Sequence, residues 1–354
     1  MIRIKNAGKV LKIILPLAFL SSGVYFLTIY SKIISEGIKN GINLCVTTLV
    51  PSLFMFMILS DLIANSKALY KITRLFEKPF ERFAGLPSEC IIVLLMSLIG
   101  GYPVGAKCTL SLYKSGHISK IQAEKLSLIA VSSGFGFVTN YVSLSLFQNR
   151  KIGYTLMISQ FAAFIINIIL CSFFVKTDIE IRKLNSDTEK YTFVDAVTNG
   201  TKATINMCAM VILFSGVLKG FEKIFCKNQY LCDVMYALCE VTNATNILHN
   251  KYPLYIISFI IGFGGLCVHF QIFSILREID INKCLFFSFR IIAGISASIT
   301  TYILLKTSSE TVAVFSTVKK VTTENSHTVI GSIALILTGI CFLSSLNLQK
   351  HIRR

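Results

Sequence analysis

The chain has 354 residues, of which 53% are hydrophobic and 15% charged, with a mean hydropathy of +0.67. Soluble domains carry about 25% charged residues, so this composition excludes an ordinary soluble protein and favours one that spans a membrane. The formal net charge of +17 comes from lysines and arginines in short connectors between apolar runs, a pattern typical of membrane topology and not of nucleic-acid binding.

The first apolar runs predict two membrane spans and an interfacial helix. A basic stretch precedes residues 13–30, which lack a clear cleavage site and so predict an uncleaved first span. Residues 31–40 suggest a short polar connector. Residues 42–64 predict a second span that Pro51 kinks. Residues 67–82 mix apolar and charged side chains as an interfacial amphipathic helix does.

The third apolar stretch is interrupted at what would be mid-bilayer depth. Residues 90–99 are too short to cross alone, and Gly-Gly-Tyr-Pro at residues 100–103 precedes a second short helix predicted over 104–113. Glycine and proline weaken helices, and lipid tolerates such a break only where protein or a wet cavity satisfies the backbone. Broken helices of this kind form the substrate sites of secondary transporters. The break therefore predicts a transporter.

The rest of the chain predicts further spans and further breaks. The helix over 123–147 is interrupted at 132–136, and residues 176–190 form a charged divide between two halves. The remaining predicted apolar segments are 152–175, 201–221, 232–248, 254–263 with 266–276 after Gly264-Gly265, 284–305 and 329–346.

The two halves predict an internal repeat. When the two glycine pairs are aligned without gaps, Val104 meets Val268 and Lys107 meets Gln271. Paired discontinuous segments in two halves are the best sequence indication of a transport site. We predict an all-α polytopic membrane protein with two repeats of discontinuous, re-entrant helices and about 8–10 membrane segments. The predicted limits are 1–40 for the N-terminal span and connector, 41–175 for the first repeat, 176–198 for the linker, 199–305 for the second repeat and 306–354 for a loop and C-terminal span.

Polar side chains within the apolar segments are the candidate substrate-binding residues. Glu240 is the one acidic residue that the sequence places well inside an apolar segment, and a charge there marks a functional site by default. The alternative is a protonated glutamic acid that only bonds a neighbouring helix. Thr242 and Asn243 add donors and acceptors suited to a polar organic substrate or a coupling cation.

Other candidates lie near the breaks. Lys107 either neutralises a substrate carboxylate or extends its ammonium group to the interface. His269 and Gln271 occupy the matching place in the second half, although a lone histidine is more often a hydrogen-bonded helix contact. Ser132 and Ser133 form a polar seam that either lines the site or joins helices.

Signatures of enzymes, cofactors and metals are missing from the sequence. Residues 100–107 approach a phosphate-binding loop but carry Ala106 where lysine belongs, and no hydrolase or metalloprotease motif occurs. We expect no enzymatic activity, no cofactor and no metal, with a coupling cation as the one possible ion. Cys226 and Cys232 share a loop, where free thiols are favoured over a disulfide. Arg290, near the start of an apolar run, is expected to reach the interface.

These motifs together resemble the YlbJ (SpoVV) sporulation integral membrane proteins, which belong to the nucleoside-recognition (Gate) group related to concentrative nucleoside transporters. The resemblance is carried by residues 49–54, 101–107, 240–242 and 264–271. It implies a Gate-type repeat fold and transport of dipicolinic acid from the mother cell into the forming spore. The site positions that it implies are Gly101, Pro103, Gly105, Lys107, Glu240, Thr242, Gly265, His269 and Gln271.

Two departures from the family pattern bear on the substrate. Met55 stands where a second proline is usual, and residues 132–135 lack the usual amide and proline. We expect a secondary transporter of a small planar carboxylate, with a nucleoside transporter or nucleoside-binding protein and a non-transporting scaffold required for sporulation as alternatives. The expected location is multi-pass in the forespore or cell membrane with both basic termini cytoplasmic. The expected partners are the bilayer and a small molecule, and no oligomeric state is predicted.

Overall fold

The computed structural model describes residues 16–18, 20–64, 73, 77–175, 192–225 and 228–307. Within these ranges the chain is helical and contains no strand, and all of them belong to one compact unit. The helices long and apolar enough to cross a bilayer are Ser31–Leu62, Arg150–Phe174, Phe193–Phe225, Leu254–Ile275 and Lys283–Thr307. The predicted all-α polytopic membrane fold is confirmed. The predicted span over 329–346, both termini and most of 67–82 lie outside the described residues.

The helices of the described ranges follow one another in this order. They are α1 (Pro16–Ile29), α2 (Ser31–Leu44), α3 (Val50–Ala64), α4 (Glu77–Ala84), α5 (Cys90–Gly100), α6 (Tyr102–Lys114), α7 (Lys120–Ile129), α8 (Arg150–Phe174), α9 (Phe193–Phe225), α10 (Gln229–Cys239), α11 (Val241–Leu248), α12 (Leu254–Phe263), α13 (Gly265–Ile275) and α14 (Lys283–Thr307). The π-helical segment Cys45–Leu49 joins α2 to α3, and the π-helical segment Phe137–Leu146 follows α7.

The second span begins earlier than the sequence predicts. Residues 31–40, predicted as a connector, form most of α2, because Ile34, Gly37 and Gly41 fall on one buried helical face. The irregularity predicted at Pro51 takes the form of the π-helical turn Cys45–Leu49 just before it. A proline lacks the N–H that continues a helix, and a π turn is a common way to absorb such a defect.

The first half contains a re-entrant hairpin and a broken crossing helix. Helices α5 and α6 form hairpin 1, whose tip is Gly101 with φ 88° and ψ −170°, a conformation essentially restricted to glycine. The crossing helix starts as α7, loses helical structure after Ile129 and resumes as the π-helical segment Phe137–Leu146. A Cβ atom on Gly101 would lie 3.0 Å from the Gly134 nitrogen. The two breaks predicted here are confirmed, and they touch.

The second half repeats this arrangement with a different first break. Helices α10 and α11 form hairpin 2, because Glu240 adopts an extended backbone with φ −151° and ψ 116°. The sequence indicated one apolar segment over 232–248 and no break at Glu240, which the structure adds. The crossing helix α12–α13 breaks at Gly264, as predicted. Gly265 lies against Glu240, since a Cβ atom on Gly265 would be 3.1 Å from the Glu240 nitrogen.

The order of elements changes which breaks correspond. Each half runs through a long helix, a hairpin, a broken crossing helix and a second long helix. Gly101 therefore matches Glu240, and the break after Ile129 matches Gly264, whereas the sequence paired the two glycine pairs with each other. Glycine marks a break in the chain, but it does not tell which kind of element is broken.

The hairpins enter from opposite ends of the molecule. Lys114, at the base of hairpin 1, pairs with Glu278 between α13 and α14. At the far end of the first crossing helix, Phe147 contacts His249 at the base of hairpin 2, with ring centroids 5.4 Å apart. The two halves are therefore inverted. We call the two ends the hairpin-1 face and the hairpin-2 face.

The long helices surround this central assembly. Leu126, Tyr141, Ile257 and Phe286, from the crossing helices and α14, are fully buried. Large apolar side chains on the outside of the long helices remain exposed in the isolated chain, and examples are Ile158, Ile205, Phe161, Ile295 and Ile299. Such residues are expected to face lipid. The discontinuous backbone lies inside the protein, which is where membrane proteins tolerate it.

Candidate functional site

The breaks of both halves surround one cavity of about 570 Å³, including its mouth. The tip of hairpin 1, the tip of hairpin 2, both crossing helices, α3 and α9 contribute to its wall. Most lining side chains are apolar, and three of them are aromatic: Phe56, Tyr102 and Phe137. A mainly apolar cavity with few polar groups is the usual form of a small-molecule site.

Of the predicted substrate-binding residues, only some line this cavity. Gly101, Pro103, Glu240, Thr242 and Gln271 are in its wall. The predicted residues outside the wall are Gly105, Lys107, Ser132, Ser133, Asn243, Gly265 and His269.

The N-termini of two helices lie in the cavity wall, and a third helix, α13, reaches the wall with Val268 in its first turn. Helix α6 begins at Tyr102, α11 at Val241 and α13 at Gly265, each directly after a break. The N-terminus of a helix carries a partial positive charge from its unpaired N–H groups. The convergence of such ends favours an anionic or strongly hydrogen-bonding ligand.

Glu240 occupies one of these N-termini itself. Its carboxylate accepts hydrogen bonds from the backbone N–H groups of Thr242 (2.9 Å) and Asn243 (2.6 Å) and from the Asn243 side chain (2.8 Å). The Asn243 amide also donates to the Ser215 hydroxyl at 2.8 Å. Glu240 is 1% exposed, and these bonds compensate a carboxylate at that depth. Thr242 and Asn243, which the sequence predicted to bind substrate, therefore donate hydrogen bonds to Glu240 in this structure.

Two tyrosines link the halves beside the cavity. The Tyr102 hydroxyl, from the first turn of α6, donates to the Ile261 carbonyl in α12. The Tyr141 hydroxyl, from the π-helical segment, donates to the Thr242 carbonyl in α11 at 2.9 Å. Each tyrosine joins one half to the other. No sequence pattern pointed to Tyr141, whereas Tyr102 lies within the Gly-Gly-Tyr-Pro motif at residues 100–103.

Lys107 forms an ion pair away from the cavity wall. Its ammonium lies 2.9 Å from the Asp61 carboxylate, which also accepts from the Asn199 amide at 3.2 Å. Asp61, near the end of the predicted span 42–64, is 8% exposed, so Glu240 is not the only buried acid of the predicted apolar segments. Asp61 lies near the C-terminal end of α3. The sequence alone does not distinguish a buried acid at that position from a charge that marks the end of a membrane helix.

His269 and Gly105, two predicted residues next to the breaks, pack against other parts of the protein and not against the cavity. His269 is fully buried and donates from Nε2 to the Phe263 carbonyl at 2.9 Å. Its ring packs edge-on against Phe263, Phe286 and Phe287. A Cβ atom on Gly105 would lie 1.9 Å from a main-chain oxygen of the first crossing helix, so that glycine permits close packing.

Arg290 contradicts its predicted position at the interface. It is 2% exposed and donates to the Val131 carbonyl and, at 3.1 Å, to the Leu128 carbonyl. A cation that bonds the last carbonyls of α7 satisfies groups that the break leaves open. This contact with the crossing helix, which sequence reasoning missed, keeps the guanidinium inside the protein.

Ser132 and Ser133 belong to a second, smaller cavity. It has a volume of about 260 Å³, including its mouth, and the polar residues of its wall also include Gln160, Asn167 and Arg290. Both serines are buried. Among the described residues, they do not share the cavity of Glu240.

The described cysteines and acids form no metal cluster, since no group of three or more His, Cys, Asp or Glu side chains converges within the described ranges. Eight cysteines there are free thiols. Cys232 is disulfide-bonded, which corrects the prediction of a free thiol, because residue spacing alone does not fix the oxidation state. Cys226 and Cys341 lie outside the described residues.

The fold defines a multi-pass all-α membrane protein with a cavity between crossed discontinuous helices. No family model matches the chain, and no solved structure matches it. The chain is similar to the sporulation integral membrane protein YlbJ of Bacillus subtilis (strain 168), with 25% identity over 332 residues, 80% of this chain and 81% of the relative. This similarity confirms the predicted resemblance to the YlbJ family. The Gate assignment remains a prediction from the motifs.

Proposed function

We propose that the protein is a secondary transporter of a small planar carboxylate, with dipicolinic acid as the best candidate. One observation carries the proposal: two hairpin tips and two broken crossing helices, in inverted halves, meet around a single cavity. Inverted repeats with discontinuous helices at the substrate site are typical of secondary transporters. The name of the similar protein refers to sporulation, and we extend that process to this chain.

The cavity wall supports a planar anionic substrate. Phe56, Tyr102 and Phe137 offer aromatic surfaces to a flat ring. The N-termini of α6 and α13 offer partial positive charge to a carboxylate, whereas Glu240 already caps α11. Because Asp61 holds the Lys107 ammonium, the helix ends and not Lys107 are the proposed counterparts of the substrate.

A nucleoside remains a second candidate because of one feature of the wall. The described residues that line the cavity include no lysine or arginine. Its side-chain polar groups include Glu240, Thr242 and Gln271, which suit the hydroxyls and ring nitrogens of a neutral ligand. Under this alternative the same cavity binds a nucleoside and discriminates against carboxylates.

Uptake of labelled dipicolinate into liposomes that contain the purified protein tests the proposal. We expect saturable uptake that Glu240→Gln reduces and that the control Glu278→Gln, at an exposed carboxylate on the hairpin-1 face, leaves unchanged. Nucleosides in excess should not compete. Strong competition by nucleosides together with no dipicolinate uptake would favour the second candidate. Uptake of neither compound would favour the non-transporting scaffold.

We also propose an orientation in the membrane. Cys232 is disulfide-bonded at the start of hairpin 2, and disulfides persist in oxidising compartments. The hairpin-2 face is therefore assigned to the non-cytoplasmic side. We expect a membrane-impermeant amine reagent, added outside whole cells, to label Lys251 at the base of hairpin 2. Labelling of Lys251 only after cell lysis would show the opposite orientation.

A further inference from the structure

The second cavity adjoins the candidate substrate cavity at the break of the first crossing helix. Ser133 lines the second cavity, and its neighbour Gly134 lines the first. Helix α8 of the first half also contributes to the second cavity, as do Gly262 of α12 and Arg290 of α14 from the second half. Both halves of the chain therefore surround it.

Arg290 brings a buried positive charge to this cavity. The residue is 2% exposed, and its guanidinium donates to the Val131 carbonyl and, at 3.1 Å, to the Leu128 carbonyl. The guanidinium carbon also lies 5.8 Å from the centroid of the Phe286 ring. These contacts supply dipoles and a ring face, but none supplies a negative charge. Within the ranges that the structure describes, no carboxylate forms an ion pair with Arg290.

A charge at this depth is unfavourable without an opposite charge. Removal of an ion from water carries a large cost, and buried charges in proteins are usually paired. An ionisable residue within a membrane-spanning segment marks a functional site by default. The Nε–H group of Arg290 also has no acceptor among the described residues. One donor and the positive charge of this side chain are therefore available to an anion.

The remaining wall suits a small anion accompanied by water. Its other polar residues are Ser132, Ser133, Gln160 and Asn167. The Gln160 amide donates to Ser258, and the Asn167 amide donates to the Ala163 carbonyl at 2.9 Å. Asn167 Oδ1 has no donor in the described part of the chain, and a water molecule between this oxygen and an anion would satisfy both.

The size of the cavity limits the ligand. Its volume of about 260 Å³ includes the mouth and is below the roughly 300–1,000 Å³ of typical sites for organic ligands. An inorganic anion of the size of chloride fits this space better than an aromatic dicarboxylate does.

We propose that the second cavity is a binding site for a small inorganic anion of the size of chloride, with Arg290 as its charged partner. A charge-assisted hydrogen bond from the guanidinium would hold the anion. The bound anion would link α14 of the second half to the break of the first half, beside the candidate substrate cavity. This inference goes beyond the proposed function and holds for any transported substrate, because the two cavities have no lining residue in common.

Thermal unfolding in detergent tests the proposal when chloride is replaced stepwise by the bulky anion gluconate at constant ionic strength. A ligand that binds only the folded state stabilises it. The melting temperature should therefore rise with chloride and level off, by about 3–5 °C at a concentration about 100 times the dissociation constant. A wild type that melts at the same temperature in both salts would overturn the inference and leave the cavity to water alone.

Variants separate the site from general salt effects. Arg290→Gln removes the charge but keeps an amide that can donate to a carbonyl, and its melting temperature should not depend on chloride. Arg277→Gln is the matched control, because Arg277 is exposed between α13 and α14, and it should keep the wild-type dependence. If Arg290→Gln does not fold, Asn167→Asp replaces it, since a carboxylate in the wall should take the place of the anion and abolish the dependence. Chloride dependence that persists in either variant would overturn the inference.

Addition of dipicolinate separates the inorganic anion from a substrate carboxylate. Saturating dipicolinate should leave the effect of chloride on the melting temperature unchanged, whether or not dipicolinate is the substrate. Loss of the chloride effect in its presence would assign Arg290 to the carboxylate of the organic ligand and overturn the inference. A chloride effect that persists while uptake of dipicolinate and nucleosides is absent would instead refute the proposed function alone.

Discussion

The tips of hairpin 1 and hairpin 2 hold equivalent places in inverted halves but are built by different chemistry. At hairpin 1, Gly101 turns the chain with a positive φ of 88°, and α6 then starts without a side-chain cap. At hairpin 2, Glu240 keeps an extended backbone and caps α11 with its own carboxylate. The first tip therefore leaves a helix N-terminus available to a ligand, whereas the second fills it.

This difference gives the cavity an electrostatic polarity. The partial positive charge at α6 has no acidic partner at the tip of hairpin 1, while the charge of Glu240 is already used by Thr242 and Asn243. A substrate carboxylate is accordingly expected to lie nearer to hairpin 1. Changes at the two tips should then have different consequences for folding and for transport.

The largest effect is expected at the tip of hairpin 1. Gly101→Ala places a Cβ atom at positive φ and 3.0 Å from the Gly134 nitrogen, and strain plus crowding should destabilise the protein by about 3 kcal/mol or more. Gly116→Ala is the matched control, because Gly116 has φ 74° but open space around its Cβ position. Thermal unfolding in detergent measures both. Equal losses in the two variants would contradict the close contact between the breaks.

The next largest effect is expected at the tip of hairpin 2. Glu240→Ala leaves two buried N–H groups without an acceptor, which should lower the free energy of unfolding by about 2–3 kcal/mol and abolish uptake. Asn228→Ala removes a cap from the exposed start of α10 and should lower stability by about 1 kcal/mol with uptake retained. Calorimetry and uptake measured on the same preparations compare the two variants. Full uptake by Glu240→Ala would show that Glu240 is not part of the transport site.

A pair of substitutions in α13 separates support from contact. His269→Ala should destabilise by about 1–2 kcal/mol, because the buried Phe263 carbonyl loses its donor, and should leave the KM for uptake unchanged. Gln271→Ala removes a side chain of the cavity wall and should raise KM with little change in stability. The reverse pattern would show that the cavity has been assigned to the wrong side of α13.

The smallest effect is expected at the base of hairpin 2, outside the candidate spans. Burial raises the pKa of Asp233, but hydrogen bonds from Tyr252, Gln229 and Lys251 outweigh burial and lower the pKa below its usual 3.8. A carboxyl with a lowered folded-state pKa adds stability above the unfolded-state value, and that stability disappears as pH falls through the folded-state value. The melting temperature of the wild type should thus fall more steeply below about pH 4 than that of Asp233→Asn. Identical acid profiles would show that the cluster does not stabilise the fold.

The sequence predicted the features that depend on glycine and on apolar runs. The breaks at Gly101, after Ile129 and at Gly264 are where it placed them. It did not predict the break at Glu240, because glutamate is a good helix former, and its capping role depends on an extended backbone that the fold imposes. Arg290 was also misplaced, since its carbonyl partners lie about 160 residues earlier in the chain and local pattern does not reveal them.

The inverted arrangement could not be derived from sequence either. The glycine pairs suggested a correspondence that the order of hairpins and crossing helices corrects. Asp61 was not among the predicted residues, because its contacts with Lys107 and Asn199 join helices that lie far apart in the sequence. Residue type indicates candidates, but contacts between distant segments decide which candidates share a site.

The proposed function depends most on a water-filled, ligand-binding cavity between the two hairpin tips. The most direct measurement is the reaction of Thr242→Cys, at the start of α11 in the cavity wall, with a water-soluble thiol reagent in the presence and absence of dipicolinate. We expect this cysteine to react in the absence of ligand and dipicolinate to slow its reaction, while the exposed Cys284 reacts at the same rate in both conditions. A cysteine at position 242 that never reacts, or whose reaction dipicolinate does not slow, would contradict it.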